Sequence, residues 1–245
     1  MADPIETDAV VLRAIRYGEA DAVLSVYTRD RGRVSAMAKG VRKATSRLGG
    51  RVQPGVWSRL ALHRGRGDMY QLRGAHVVRT HAGLWTDARR LGAASCVLEA
   101  AMRVLPEEEA DEEAFGLLVR ALGVLSDGPT LPGPPHLHPV VLGFGAKLLV
   151  VSGLLPRLQA CVACGAPPPA RWFSARAGGV LCDACGPGIR IGDGGRAAMV
   201  SLLERPLRDA ADRPLEPGDA VDVERIIGAV LGEHLGLGLR SATPG

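Results

Sequence analysis

Four of the five cysteines fall in two close pairs: Cys161-Val162-Ala163-Cys164 and Cys182-Asp183-Ala184-Cys185. Two residues between thiolates form a tight knuckle that offers both sulfurs to one ion, and two knuckles complete a tetrahedral shell of four sulfurs. Seventeen residues separate the pairs, a spacing typical of zinc ribbons. Gly165 and Gly186 follow the knuckles, where the backbone must turn and point amides at sulfur. A closed four-sulfur shell leaves no position for substrate, so the one Zn2+ expected here is structural. A redox dithiol would be a single pair at a helix start after a strand. The fifth cysteine, Cys96, lies on an apolar helical stripe and reads as core.

The second concentration of chemistry is charge. Residues 28–66 carry eleven lysines and arginines against the single carboxylate of Asp30, a local balance of +10. The whole chain carries only +4, which leaves −6 for the remainder. A concentrated positive field on a small domain attracts a polyanion, and nucleic acid is the commonest. The alternative is a solvated basic face that only aids solubility. Arg33, Lys39, Arg42, Lys43, Arg47 and Arg51 are the candidate contacts. Lysine is scarce, at three residues of thirty basic ones, which suggests the codon bias of a GC-rich genome. That bias weakens any argument from arginine identity, but two of the three lysines, Lys39 and Lys43, lie in the basic stretch.

The elements that must position these residues follow from periodicity. Apolar residues in 7–16, 22–28, 34–38, 56–63 and 69–75 predict five short strands with tight turns, a small antiparallel barrel of OB-fold type. The polar segment 40–55 is an unusually long loop and holds Arg42, Lys43, Arg47 and Arg51. Tyr17, Tyr27, Trp57 and Tyr70 are the aromatic residues of the barrel, each either core or a stacking platform for a base. Spacings of three and four then predict helices near 93–104, 114–125, 138–153, 194–204 and 221–237. The expected class is α+β and multidomain: an OB-fold barrel over 1–80, a helical domain over 81–157, an inserted four-Cys module over 158–190, and C-terminal helices over 191–245 that pack on the helical domain. No phosphate-cradling loop, dinucleotide fingerprint or nucleophile elbow is present, so no enzyme is expected. The acidic run 107–113 reads as a solvated helix junction, and His136 and His138 as unrelated to metal. The acidic N-terminus lacks an apolar run and no segment is long enough for a bilayer, so the expectation is a cytoplasmic protein that meets no membrane.

The residues resemble a known family. Gly18-Glu19-Ala20-Asp21, Tyr27-Thr28-Arg29 through Gly32-Arg33-Val34, Ala38-Lys39-Gly40-Val41-Arg42-Lys43, and Ser46-Arg47 through Pro54 are similar to the N-terminal domain of the bacterial recombination mediator RecO. The likeness is to actinobacterial-type sequences in particular, and the order of barrel, helices, zinc module and final helices is similar too. The resemblance implies binding of single- and double-stranded DNA, annealing of complementary strands, and action with RecR to load RecA onto strands coated by single-strand binding protein (SSB). It implies contact with the acidic C-terminal tail of SSB and a nucleoid-associated location. Lys147, Arg157 and Arg225 are the candidate basic residues for that tail. About five phosphate contacts would give a log–log salt slope of roughly −3.5 on single strands. The rival expectation is an RNA-binding accessory protein of the ribosome or translation with the same barrel and ribbon.

Overall fold

Alternation of apolar and polar residues commits the first eighty positions to a pleated sheet, and a sheet this short hides its edges best by closing on itself. A computed structural model of the chain describes residues 5–64, 67 and 69–236. Strands β1 (Ile5–Tyr17), β2 (Asp21–Thr28), β3 (Gly32–Ala38), β4 (Trp57–Arg64) and β5 (Tyr70–Arg79) form a closed barrel in the order β1-β2-β3-β5-β4. All neighbours are antiparallel except β3 and β5, which pair in parallel through Ala36–Tyr70 and Met37–Gln71. The long β1 serves two neighbours: β4 along Ile5–Val10 and β2 along Ala9–Tyr17. A bulge between Val11 and Arg13 turns it from one to the other. Val11, Leu24, Val26, Ala36, Leu60 and Leu62 fill the interior.

The barrel belongs to a compact unit of residues 1–86 and 97–127. Helix α2 (Glu112–Asp127) starts where Asp111 accepts a hydrogen bond from the Ala114 amide (2.9 Å), a side-chain cap reinforced by Glu112 and Glu113. Phe115 on α2 is buried edge-on against Trp57 of the barrel, ring centroids 6.0 Å apart. Just before α2, the chain lies along the open edge of β3: the Arg33 amide donates to the Pro106 carbonyl (3.3 Å), and the Glu108 amide donates to the Arg33 carbonyl (3.1 Å). Gly32 makes that approach possible. Its φ is +65°, and the Glu109 carbonyl occupies the place a β-carbon would need.

Helix α1 (Ala88–Val104) divides: its residues from Val97 cluster with the barrel, and those up to Cys96 with a second unit of residues 87–96 and 128–245. In that unit α3 (Pro139–Val151) is buried on most sides, with Val140, Leu142, Phe144, Leu148 and Leu149 inside. Gly145 admits Ile227 so closely that a β-carbon would stand 3.2 Å from its Cδ1. Strands β6 (Trp172–Ser174), β7 (Gly179–Leu181) and β8 (Ile189–Arg190) form a small sheet in the order β7-β6-β8. Helices α4 (Asp193–Glu204), α5 (Leu207–Ala211) and α6 (Pro217–Leu235) complete the unit. The last helix starts at Pro217, earlier than the periodicity suggests, because proline suits a first helical turn. Its expected end at Leu237 lies outside the described residues. No helix among the described residues is long and apolar enough to cross a membrane.

Candidate metal centre and nucleic-acid interface

The two Cys knuckles meet. The Sγ atoms of Cys161, Cys164, Cys182 and Cys185 all lie within 4.8 Å of one another, with Cys164 and Cys182 3.7 Å apart. A tetrahedral ion with bonds of about 2.3 Å needs sulfurs about 3.8 Å apart, so the donor set fits one ion. The small sheet brings them together. Val162 donates its amide to the Val180 carbonyl (2.9 Å), tying the first knuckle to β7, and the second knuckle follows β7 directly. Each knuckle closes on itself: Gly165 donates to the Cys161 carbonyl (2.8 Å), and Gly186 to that of Cys182 (3.0 Å). Amide donors, foremost that of Cys182, hold the Cys161 thiol down at about 6. The Cys164 thiol, through its hydrogen bond, pushes Cys185 up to about 12. Four sulfurs this close ionise together only around a cation.

The basic stretch divides into two sets. Arg29 and Arg59 both approach Asp8, at 3.9 and 3.1 Å, and Arg29 also lies over the Phe115 ring at 5.1 Å. Arg33 donates to Glu107 (2.8 Å) and, through Nε, to the Leu105 carbonyl (3.1 Å). Arg64 approaches Glu108 at 3.8 Å, Arg31 is half-buried, and Arg51 donates to the Ala75 carbonyl (2.9 Å). Arg66 lies outside the described residues. The other set is Lys39, Arg42, Lys43 and Arg47, all exposed and without an ion pair among the described residues.

The loop geometry explains the second set. Buried Val41 and Val52 pin the ends of the 41–52 segment into the barrel core. Between them the chain turns twice, with Lys43 donating to the Gly40 carbonyl (3.2 Å) and Ser46 to that of Lys43 (2.9 Å). The Gly40 amide donates to Asp21 (2.7 Å) and the Arg42 amide to the Ala20 carbonyl (2.9 Å), so the loop rests against the β1–β2 turn. The second half of β1, which leads into that turn, carries two more exposed cations, Arg13 and Arg16. They fall outside the basic stretch, and only the 13-residue length of β1 could have pointed to them. The four exposed loop cations are the part of the basic stretch left open to a polyanion.

Comparison with known proteins is decisive. The model of the "Recombination protein O N terminal" family matches residues 1–81, and that of the "Recombination protein O C terminal" family matches residues 86–243. The chain belongs to the RecO family of DNA repair proteins. It is similar to the DNA repair protein RecO of Anaeromyxobacter sp. (strain K), 37% identical over 96% of this chain and 92% of that protein. It is likewise similar to the RecO of Rubrobacter xylanophilus, at 35% identity over 96% and 94%, and that of Nocardioides sp., at 34% over 96% of each. The family resemblance and the barrel-plus-helices class expected from sequence are thereby borne out.

In the second unit a shallow cleft is lined by Leu202, Arg205, Leu207, Arg213 and Leu215, with Asp209 also on its wall. The residues expected to meet a partner tail lie elsewhere. Lys147 donates to the Leu203 carbonyl (2.8 Å), Arg225 donates to that of Arg190 (3.1 Å), and Arg157 is exposed.

Proposed function

We propose that this chain is a recombination mediator that binds single-stranded DNA without sequence preference and anneals complementary strands. The observation that carries the reading is the set of exposed, unpaired cations Lys39, Arg42, Lys43 and Arg47 on the barrel of a RecO-family chain. Arg33 and Arg51, bonded to Glu107 and the Ala75 carbonyl, hold the framework on which that set stands. Four phosphate contacts on a single strand give a log–log salt slope of about −3. Annealing follows because two strands on one positive surface repel each other less. Nothing in the loop is arranged to read base edges, so binding tolerates any sequence.

In the same reading the four-sulfur centre holds one structural Zn2+, in keeping with a closed shell of thiolates. The cleft between Arg205 and Arg213, with Leu202, Leu207 and Leu215, suits an acidic peptide end, as the tail of SSB is. Cooperation with RecR, loading of RecA and residence in the cytoplasm at the nucleoid complete the assignment. The test is annealing of complementary oligonucleotides, bare and SSB-coated, with RNA and ribosomes as competitors. Acceleration of both DNA reactions supports the assignment. Equal or stronger preference for RNA or ribosomes, with no annealing, overturns it.

A further inference from the structure

The barrel's aromatic residues separate cleanly. Tyr27 and Tyr70 are core, at 0% and 2% exposure, and Trp57 packs edge-on against Phe115. Tyr17 is 58% exposed at the end of β1. Register shows what surrounds it. Ile15 stands opposite Val23, and Val23 opposite Met37, so the three share one face across β1, β2 and β3. Tyr17 lies two residues beyond Ile15 on the same face, and Ile15 is itself 44% exposed. The result is an apolar strip, on the outside of the barrel, that ends in an exposed phenol ring.

Cations border the strip. Arg13 is on the same face, opposite Ser25, whereas Arg16 stands opposite buried Ala22 and takes the other face. Lys39 follows the end of β3, and Arg42 donates from Nη1 to the carbonyl of Gly18, next to Tyr17, at 3.4 Å. None of Arg13, Lys39 and Arg42 has an ion pair among the described residues. Two carboxylates are close: Asp21 stands directly opposite Tyr17 and is engaged by the Gly40 amide, and Glu19 is exposed at the turn. An exposed aromatic ring with cations beside it complements an unpaired base and its neighbouring phosphates. A duplex, whose bases are stacked on each other, offers it nothing comparable.

We propose that Tyr17 is a stacking platform for a base of single-stranded nucleic acid, with Arg13, Lys39 and Arg42 taking the neighbouring phosphates. The strip of Ile15, Val23 and Met37 carries the adjoining base. This rests on the nucleic-acid reading above and adds the residue that distinguishes single strands from duplex.

The test uses the full, metal-loaded chain and a fluorescein-labelled oligo-dT, with a duplex of equal length, in anisotropy titrations at several salt concentrations. Tyr17→Ala weakens oligo-dT binding on the order of 10- to 100-fold, with a smaller loss on duplex. Tyr17→Phe recovers most of that loss. The salt slope of Tyr17→Ala equals that of the unaltered chain, because a stacked ring releases no counterions, whereas Arg42→Glu with Lys43→Glu flattens it. Undiminished oligo-dT affinity in Tyr17→Ala, while the double charge reversal still weakens binding, overturns the platform and leaves the nucleic-acid reading standing. A Phe variant as weak as the Ala variant also overturns it, since the hydroxyl and not the ring would then matter. No binding of oligo-dT by the unaltered chain overturns both.

Discussion

Arg33 and Arg42 are nine positions apart in a single basic stretch, yet they do different work. Arg33 is 21% exposed in its side chain and joins Glu107 and the Leu105 carbonyl, whereas Arg42 is open to solvent. Two predictions follow from the contrast. Arg42→Glu with Lys43→Glu removes two of four loop cations, so single-strand affinity falls at least tenfold at moderate salt and the slope flattens by about 1.4. Filter binding across a salt series checks this, and an unchanged slope would place the strand elsewhere. Arg33→Ala instead costs about 1–2 kcal/mol of stability, mainly through the Leu105 carbonyl left without its donor, because the ion pair with exposed Glu107 contributes little. Urea denaturation measures it, with the salt slope for DNA left as it was. The local charge sum was legible in the sequence. The division into two sets was not, because the carboxylate that engages Arg33 lies 74 residues away.

At the level of single elements, the sequence was most legible where spacing alone carries the chemistry. The two Cys pairs needed no knowledge of the fold, since each knuckle is closed by hydrogen bonds four residues apart or fewer. Cys182→Ser should lower bound metal, measured by mass spectrometry under native conditions, from one ion to substoichiometric occupancy, and loosen the sheet that β7 anchors. The β6–β8 strands escaped notice because they run only two or three residues, too few to show alternation. His138 gives helix α3 a pH dependence. Its Nδ1 accepts from the Val140 amide at 3.2 Å, and desolvation lowers its pKa from 6.5 to about 4. The unfolded chain therefore takes up the proton more readily. Stability that is complete above pH 6.5 declines as pH falls from there to about 4, with no further loss from this group below that. The upper bound is about 3 kcal/mol, reduced by the water that still reaches the half-buried ring. Urea midpoints of His138→Asn, which keeps a capping acceptor, should lose this part of the pH profile. A profile identical to that of the unaltered chain would reject the assignment.

On the scale of the whole molecule, the five strands and the long helices were legible, and the sharing of helix α1 between two clusters was not. Helix α1 reads as one uninterrupted apolar pattern, yet its residues cluster with two different units. Periodicity reports which face of a helix is buried and says nothing of what buries it. Gly32 makes the same point in the barrel: in sequence it looks like an ordinary turn glycine, and only the fold shows that the Glu109 carbonyl fills the space beside it. Gly32→Ala should cost about 2–4 kcal/mol, since it combines a positive φ with an unrelieved clash. Thermal melting would show it, and a fall of less than about 3 °C would mean the 106–109 segment simply moves aside.

The segment that lies along β3 has a practical consequence for anyone who wishes to work with the barrel alone. A polypeptide stopped at residue 81, where the N-terminal family match ends, retains all five barrel strands but forfeits Phe115 and the backbone partners of Arg33. Its Trp57 wall and the unpaired stretch of β3 would then be bare, an invitation to self-association. A polypeptide extended to residue 127 keeps both partners and should self-associate less on a sizing column, although residues 88–96 of α1 then lose the unit they cluster with.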